Sequence, residues 1–150
     1  MKILIAVDQS PHSERAIRFV SRMRWPAGSR VLLVSVLAPL MSPPPSGADV
    51  GAPILVGGGR EQQAEVHALV SRAEDEIRAA GIATEARLPT GDPRDALLRL
   101  AEEERVDLIV VGSHGRTGLA KLLLGSVSSY VVTHARCSVL VVKEDLHASR

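Results

Sequence analysis

Glycines 112, 115, 118 and 125 crowd one short stretch of the chain, and the last of them abuts Ser126 where a helix-like segment resumes. A strand end, a glycine-bearing loop and a helix start together make a place for an anion. The first N–H groups of a helix have no intrahelical partner and sit at the positive end of its dipole. A phosphate there is expected to meet those N–H groups and the hydroxyls of Ser126 and Ser128. The stretch is not a Walker loop, because no lysine follows the glycine at the required place. Nor does it continue a dinucleotide fingerprint, since the turn after the first strand, Asp8-Gln9-Ser10-Pro11, contains no glycine.

Other chemistry-bearing side chains are fewer. Asp8 ends the first apolar run and reads either as a ligand carboxylate or as a cap for the helix that follows, two roles that can coexist. His12 and His114 lack metal-ligand spacing to carboxylates or to Cys137 and read as surface or hydrogen-bonded histidines. Cys137, beside a buried strand, reads as a small core residue. Hydrolysis of a bound triphosphate needs a positioned water and charge neutralisation at the transferring phosphoryl group. No lysine, paired carboxylates or arginine finger offers itself for that, so binding is better supported than turnover.

Positioning this loop requires alternating strands and helices. Ile3 to Val7 and Val31 to Leu37 are continuous apolar runs of the kind buried on both faces of a parallel sheet. Ser10-Pro11 starts a helix that buries Ala16, Ile17, Val20 and Met23, and Trp25-Pro26-Ala27-Gly28 ends it. A helix over Arg60 to Ala80 carries one apolar stripe with Gly81 as its stop, and Ile82 to Leu88 alternates like an edge strand. Asp92-Pro93 starts a third helix, whose end, Glu102-Glu103-Glu104, puts acid at the negative pole of the dipole without evident reason. Val106 to Val111, a helix over Ser126 to Ala135 and a strand over Ser138 to Lys143 complete the alternation. Residues 38–59, dense in proline and glycine, are expected to hold no regular element and to form a flexible connection, either a flap or a disordered excursion.

Five strands and four helices in alternation predict one α/β domain over residues 1–150, a doubly wound parallel sheet with helices on both faces. Ligands of such sheets gather at the carboxyl ends of the strands where the strand order reverses. With the order 3-2-1-4-5 the loops after strands one and four, carrying Asp8 and Gly112, become neighbours.

The balance of the chain narrows the partners. A formal charge of +1 and 2% aromatic content give neither a basic field nor stacking rings, so nucleic acid is not an expected partner. The single cysteine suits a reducing compartment, and no apolar run approaches the roughly 20 residues of a membrane span. The expected location is cytoplasmic, with no membrane partner.

Gly112-x2-Gly115-x9-Gly125-Ser126 resembles the G-x2-G-x9-G-[ST] motif of the universal stress protein family, in its ATP-binding branch. The resemblance extends to the opening Ile3 to Asp8, to the long segment after strand two, and to Cys137 through Lys143. It implies the strand order 3-2-1-4-5 and ATP as ligand. Asp8 then matches the ribose-contacting acid, Val36 the residue whose main chain meets the adenine edge, and Ala6 and Val111 the lining of base and sugar. Gly112, Gly115, Gly125, Ser126, Val127 and Ser128 match the phosphate positions, with Arg116 as an added charge or a solvated side chain. A Mg²⁺ bridging the phosphates and Asp8 or Ser126 is compatible with this set. The family also implies a homodimer through the fifth strand, Val139, Leu140, Val141 and Val142. Three functions follow as expectations: a nucleotide-responsive stress or regulatory protein first, then a slow ATPase or phosphotransferase, then an ATP-independent scaffold or chaperone-like dimer. A phosphoacceptor receiver domain shares the architecture but needs clustered acids after strand one, where Gln9 follows Asp8.

Overall fold

The computed structural model describes residues 1–37, 40–42, 54–56, 59–114 and 124–143. Its elements run β1 (Lys2–Ala6), α1 (Pro11–Arg22), β2 (Arg30–Val34), β3 (Leu40–Ser42), β4 (Ile54–Val56), α2 (Arg60–Ala79), β5 (Ala83–Arg87), α3 (Pro93–Glu103), β6 (Leu108–Gly112), α4 (Ser126–His134) and β7 (Ser138–Val142). Five of the strands form a parallel sheet in the order β5-β2-β1-β6-β7, the expected 3-2-1-4-5.

Successive side chains of a strand point to opposite faces, and β1 uses both for apolar burial. Ile3 and Ile5 join Ala16, Ile17 and Val20 of α1 and Leu69, Ala73 and Ile77 of α2 in one core. Leu4 turns the other way, into a second core with Leu97 and Ala101 of α3, Val131 of α4 and Ile109 of β6. Ile3, Leu4 and Ile5 are all 0% exposed, and each contributes about 1.5–3 kcal/mol by leaving water. A strand buried on both faces has no polar alternation, which is why the β1 run reads as continuously apolar.

Helix starts are specified locally. Ser10 accepts from the Ser13 N–H at the start of α1, and Asp92 accepts from the Arg94 N–H at the start of α3, each followed by proline at the first helical position. Gly81, at φ +78°, takes the left-handed conformation just past α2 that an L side chain resists.

Three expectations need correction. Residues 38–59 do contain regular structure: β3 and β4 pair antiparallel, Leu40 with Val56 and Ser42 with Ile54. Short apolar runs between the breakers suffice for a three-residue ladder, so the described residues hold seven strands, five of them in the main sheet. Met23 is 46% exposed, because α1 stops at Arg22 before its apolar stripe reaches that residue. The acidic end of α3 has a structural account in neighbouring cations. Glu104 pairs with Lys2 and reaches Arg87 at 3.8 Å, and Glu102 lies 3.4 Å from Arg136. Lys2 beside Glu104 holds that carboxyl below its ordinary range.

Candidate nucleotide site

The strand order reverses between β1 and β6, and over their carboxyl ends lies a cavity of about 530 Å³. Small-molecule sites span about 300–1,000 Å³. The cavity wall includes Ala6, Asp8, Val36, Val111, Gly112, Gly125, Ser126, Val127 and Ser128. The topology therefore brings together residues separated by more than half the chain. Gly115 and Arg116, the remaining candidates, lie outside the described residues, as does most of the 38–59 segment.

Asp8 belongs to the wall, two residues past the end of β1. Its Oδ1 accepts the Ser10 N–H at 3.0 Å and the Ser10 hydroxyl, so one oxygen organises the turn into α1. Its Oδ2 has no hydrogen-bond partner among the described residues. Capping and ligand roles thus fall on different oxygens of one carboxylate. At the helix side, Ser13 Oγ donates no cap but accepts the Asp8 N–H at 3.0 Å, fixing the main chain at this corner.

Val36 owes its availability to the geometry of a parallel ladder. Main-chain groups of alternate residues face alternate neighbours. Ser35 N–H donates to Arg87 and Leu37 N–H to Pro89, both toward the β5 side, while Val34 carbonyl accepts from Val7 on the β1 side. Val36 faces the β1 side as well, but β1 has ended. Its N–H and C=O have no partner among the described residues, and Val36 is one of the residues of the cavity wall.

The opposite end of the cavity is built from β6 and α4. Ser113 N–H donates to Val142 at 2.9 Å, and the Ser113 carbonyl accepts the Gly125 N–H at 2.8 Å, which closes the loop's two ends onto each other. Gly125 caps α4 with no side-chain hydrogen bond, and the first internal bond is Ser129 N–H to the Gly125 carbonyl. The N–H groups of Ser126, Val127 and Ser128 therefore have no partner among the described residues. They form the positive pole of α4, facing the cavity.

Two candidates act differently from expectation. Ser128, 4% exposed, donates its hydroxyl to the Gly112 carbonyl at 2.6 Å. A hydroxyl has one proton to give, so in this geometry Ser128 locks α4 to β6 and only its main chain can serve an anion. Gly112 lines the cavity, but the space left by its missing side chain is filled by α1. A Cβ there would lie 2.8 Å from the carbonyl carbon of His12. Close packing of strand against helix explains this glycine before any ligand does.

His12 and His114 lie with ring centroids 5.3 Å apart, and Ser113 Oγ stands 3.2 Å from Nδ1 of each. They are hydrogen-bonded, as expected, and only His114 of the pair lines the cavity. Among the described residues no group of three or more His, Cys, Asp or Glu side chains is arranged to hold a metal ion. Cys137 is half-buried against the second core, and burial pushes its thiol pKa up, away from reactivity.

Sequence reasoning missed the wall contributed by α2, where Gln62, Glu65, Val66 and Leu69 face the cavity. A signal was available. Every crossover helix of a parallel sheet begins at the carboxyl edge of the strands, so the first turns of α2 had to arrive near the site. Gln9 Nε2 donates to Glu65 Oε2 at 3.1 Å and ties α2 to the loop after β1.

Comparison with known proteins gives a consistent set of likenesses. A family model described as the universal stress protein family matches residues 1–143. Universal stress protein Sll1388 of Synechocystis is 31% identical over 149 residues, covering 95% of this chain and 97% of its own. The solved structure of MJ0577, from Methanocaldococcus jannaschii, is similar with a TM-score of 0.76 at 26% identity, covering 96% of each chain. That of a universal stress protein from Archaeoglobus fulgidus in complex with dAMP is similar with a TM-score of 0.67 at 28% identity, covering 95% of this chain and 98% of that one. No helix among the described residues is long and apolar enough to cross a membrane.

Proposed function

The chain belongs to the universal stress protein family, and from that premise we propose that it binds an adenine nucleotide, ATP foremost, and acts as a nucleotide-responsive regulatory protein. The main support is that one cavity gathers three sets of unspent hydrogen-bonding groups: the Val36 main chain, Asp8 Oδ2 and the first N–H groups of α4. Their chemistry matches the parts of a nucleotide. A main-chain donor and acceptor suit a base edge, a carboxylate suits vicinal hydroxyl donors, and a helix N-terminus suits phosphate. The family relative in complex with dAMP supports the same ligand class.

Asp8 takes the ribose, Val36 the adenine edge, and Ala6 and Val111 flank base and sugar. The phosphates lie against Gly125, Ser126, Val127 and the Ser128 main chain, with Gly115 and Arg116 completing the loop. Mg²⁺ enters as a companion of the phosphates rather than on a protein cage, since it keeps most of its ligands from water and phosphate. Leu37, next to residue 38, and Gln62, three residues past Gly59, both belong to the cavity wall. A bound nucleotide is thereby able to set that segment's conformation for a partner to read. Dimerisation through β7 covers the half-buried edge residues Val139 to Val142. Native mass measurement is expected to give twice the 16.0 kDa chain mass.

Slow ATP hydrolysis is the second reading, favoured by His114, which lines the cavity with an Nε2 that is buried and unpartnered among the described residues. The test begins by denaturing the purified protein and identifying any nucleotide released, then following phosphate release from added ATP. Retained adenine nucleotide with no multiple turnover fits the binding role. Turnover that is lost in Ser126→Ala assigns the enzyme instead, and a protein that neither retains nor binds nucleotide is a scaffold.

A further inference from the structure

Gln62 occupies the third position of α2, after the Gly59 cap. A glutamine at this position ordinarily reaches back to the N–H of the capping residue. Here the Gln62 Oε1 is buried and makes no hydrogen bond with any described residue, and Gln62 lines the same cavity as Val36. A buried carbonyl oxygen left without a partner carries an uncompensated desolvation cost and calls for a ligand, water or ion. The helix does not use it, and the buried residues farther along α2, Leu69, Val70, Ala73 and Ile77, are apolar.

Resting on the reading of the cavity as a nucleotide site, we infer that Gln62 determines base specificity by accepting a hydrogen bond from the exocyclic amino group of adenine. A carboxamide carries an acceptor and donors side by side, and it pairs with the N6 and N7 edge of adenine in that way. The amino group has two hydrogens, one for the Val36 carbonyl and one for Gln62. Phosphate and ribose contacts do not depend on which base is attached, so they cannot supply this choice. A base with an oxygen at that position sets acceptor against acceptor at Val36 and forces the carboxamide to turn over.

The test is a two-by-two comparison by isothermal titration: wild type and Gln62→Leu, each with ATP and with purine riboside triphosphate, which lacks only the amino group. Wild type is expected to favour ATP by about tenfold, and Gln62→Leu to reduce that preference by about three- to tenfold, the loss of one neutral hydrogen bond. Gln62→Glu, which keeps the acceptor, is expected to retain the preference. Equal preference in wild type and Gln62→Leu, with ATP bound by both, overturns the role of Gln62 and leaves the nucleotide site standing. Failure of wild type to bind either nucleotide overturns the nucleotide site and this role with it.

Discussion

Gly112 and Gly125 belong to the same sequence motif, yet different physics makes each a glycine. At Gly112 a side chain would strike the main chain of His12, which cannot move without shifting α1. Gly112→Ala is expected to destabilise the fold by about 1–3 kcal/mol, the cost of overpacking, measured by urea denaturation. Gly125 has φ −59° and ψ 158°, a conformation open to any residue. Gly125→Val is therefore expected to fold with nearly unchanged stability and to lose ATP binding, because a branched side chain would stand at the phosphate end of the cavity. Normal ATP affinity in that variant would show that the site lies elsewhere. Spacing alone made these glycines look alike. The sequence carries no mark of the approach of α1 to β6, which arises only when the sheet is assembled, and the same holds for the Ser128 hydroxyl committed to Gly112.

At the scale of elements, local signals decided most of what could be read. Ser10-Pro11 and Asp92-Pro93 mark helix starts because the capping oxygen and the fixed proline φ act within one turn. The short ladder of β3 and β4 was hidden, since Leu40–Ser42 and Ile54–Val56 gain their stability from pairing across 11 intervening residues rather than from their own pattern. The cap of α3 has a pH consequence. Hydrogen bonding to Arg94 holds the Asp92 carboxyl at about 2, below its ordinary 3.8. A depressed carboxylate contributes stability above its unfolded value and loses it as the pH falls through the folded one. The contribution is therefore full above about pH 4 and gone near pH 2. Asp92→Asn keeps a capping oxygen without the titration, so its stability curve is expected to be flatter than wild type across that window in acid denaturation. Identical slopes would mean that solvent screens this exposed pair completely.

Across the whole molecule, the doubly wound order converts distant residues into neighbours. Asp8, Val36 and Ser126 meet because β1 lies between β2 and β6 and all three strands end at one edge. That much follows from strand and helix alternation together with the rule that parallel sheets bind at their carboxyl edge. The free Val36 main chain was legible only as a resemblance, because its freedom arises past the common end of β1 and β2, where the chain after β2 keeps bonding to the β5 side while the chain after β1 turns off into α1. The α2 wall with Gln62 was not recognised at all, since its sequence looks like any polar first turn. The central claim is that these convergent, unspent groups hold an adenine nucleotide. Calorimetric titration of ATP into nucleotide-free protein tests it most directly. Saturable binding of one ATP per chain, absent in Gly125→Val of equal stability, is the predicted result; no binding at millimolar ATP in the folded wild type would contradict it.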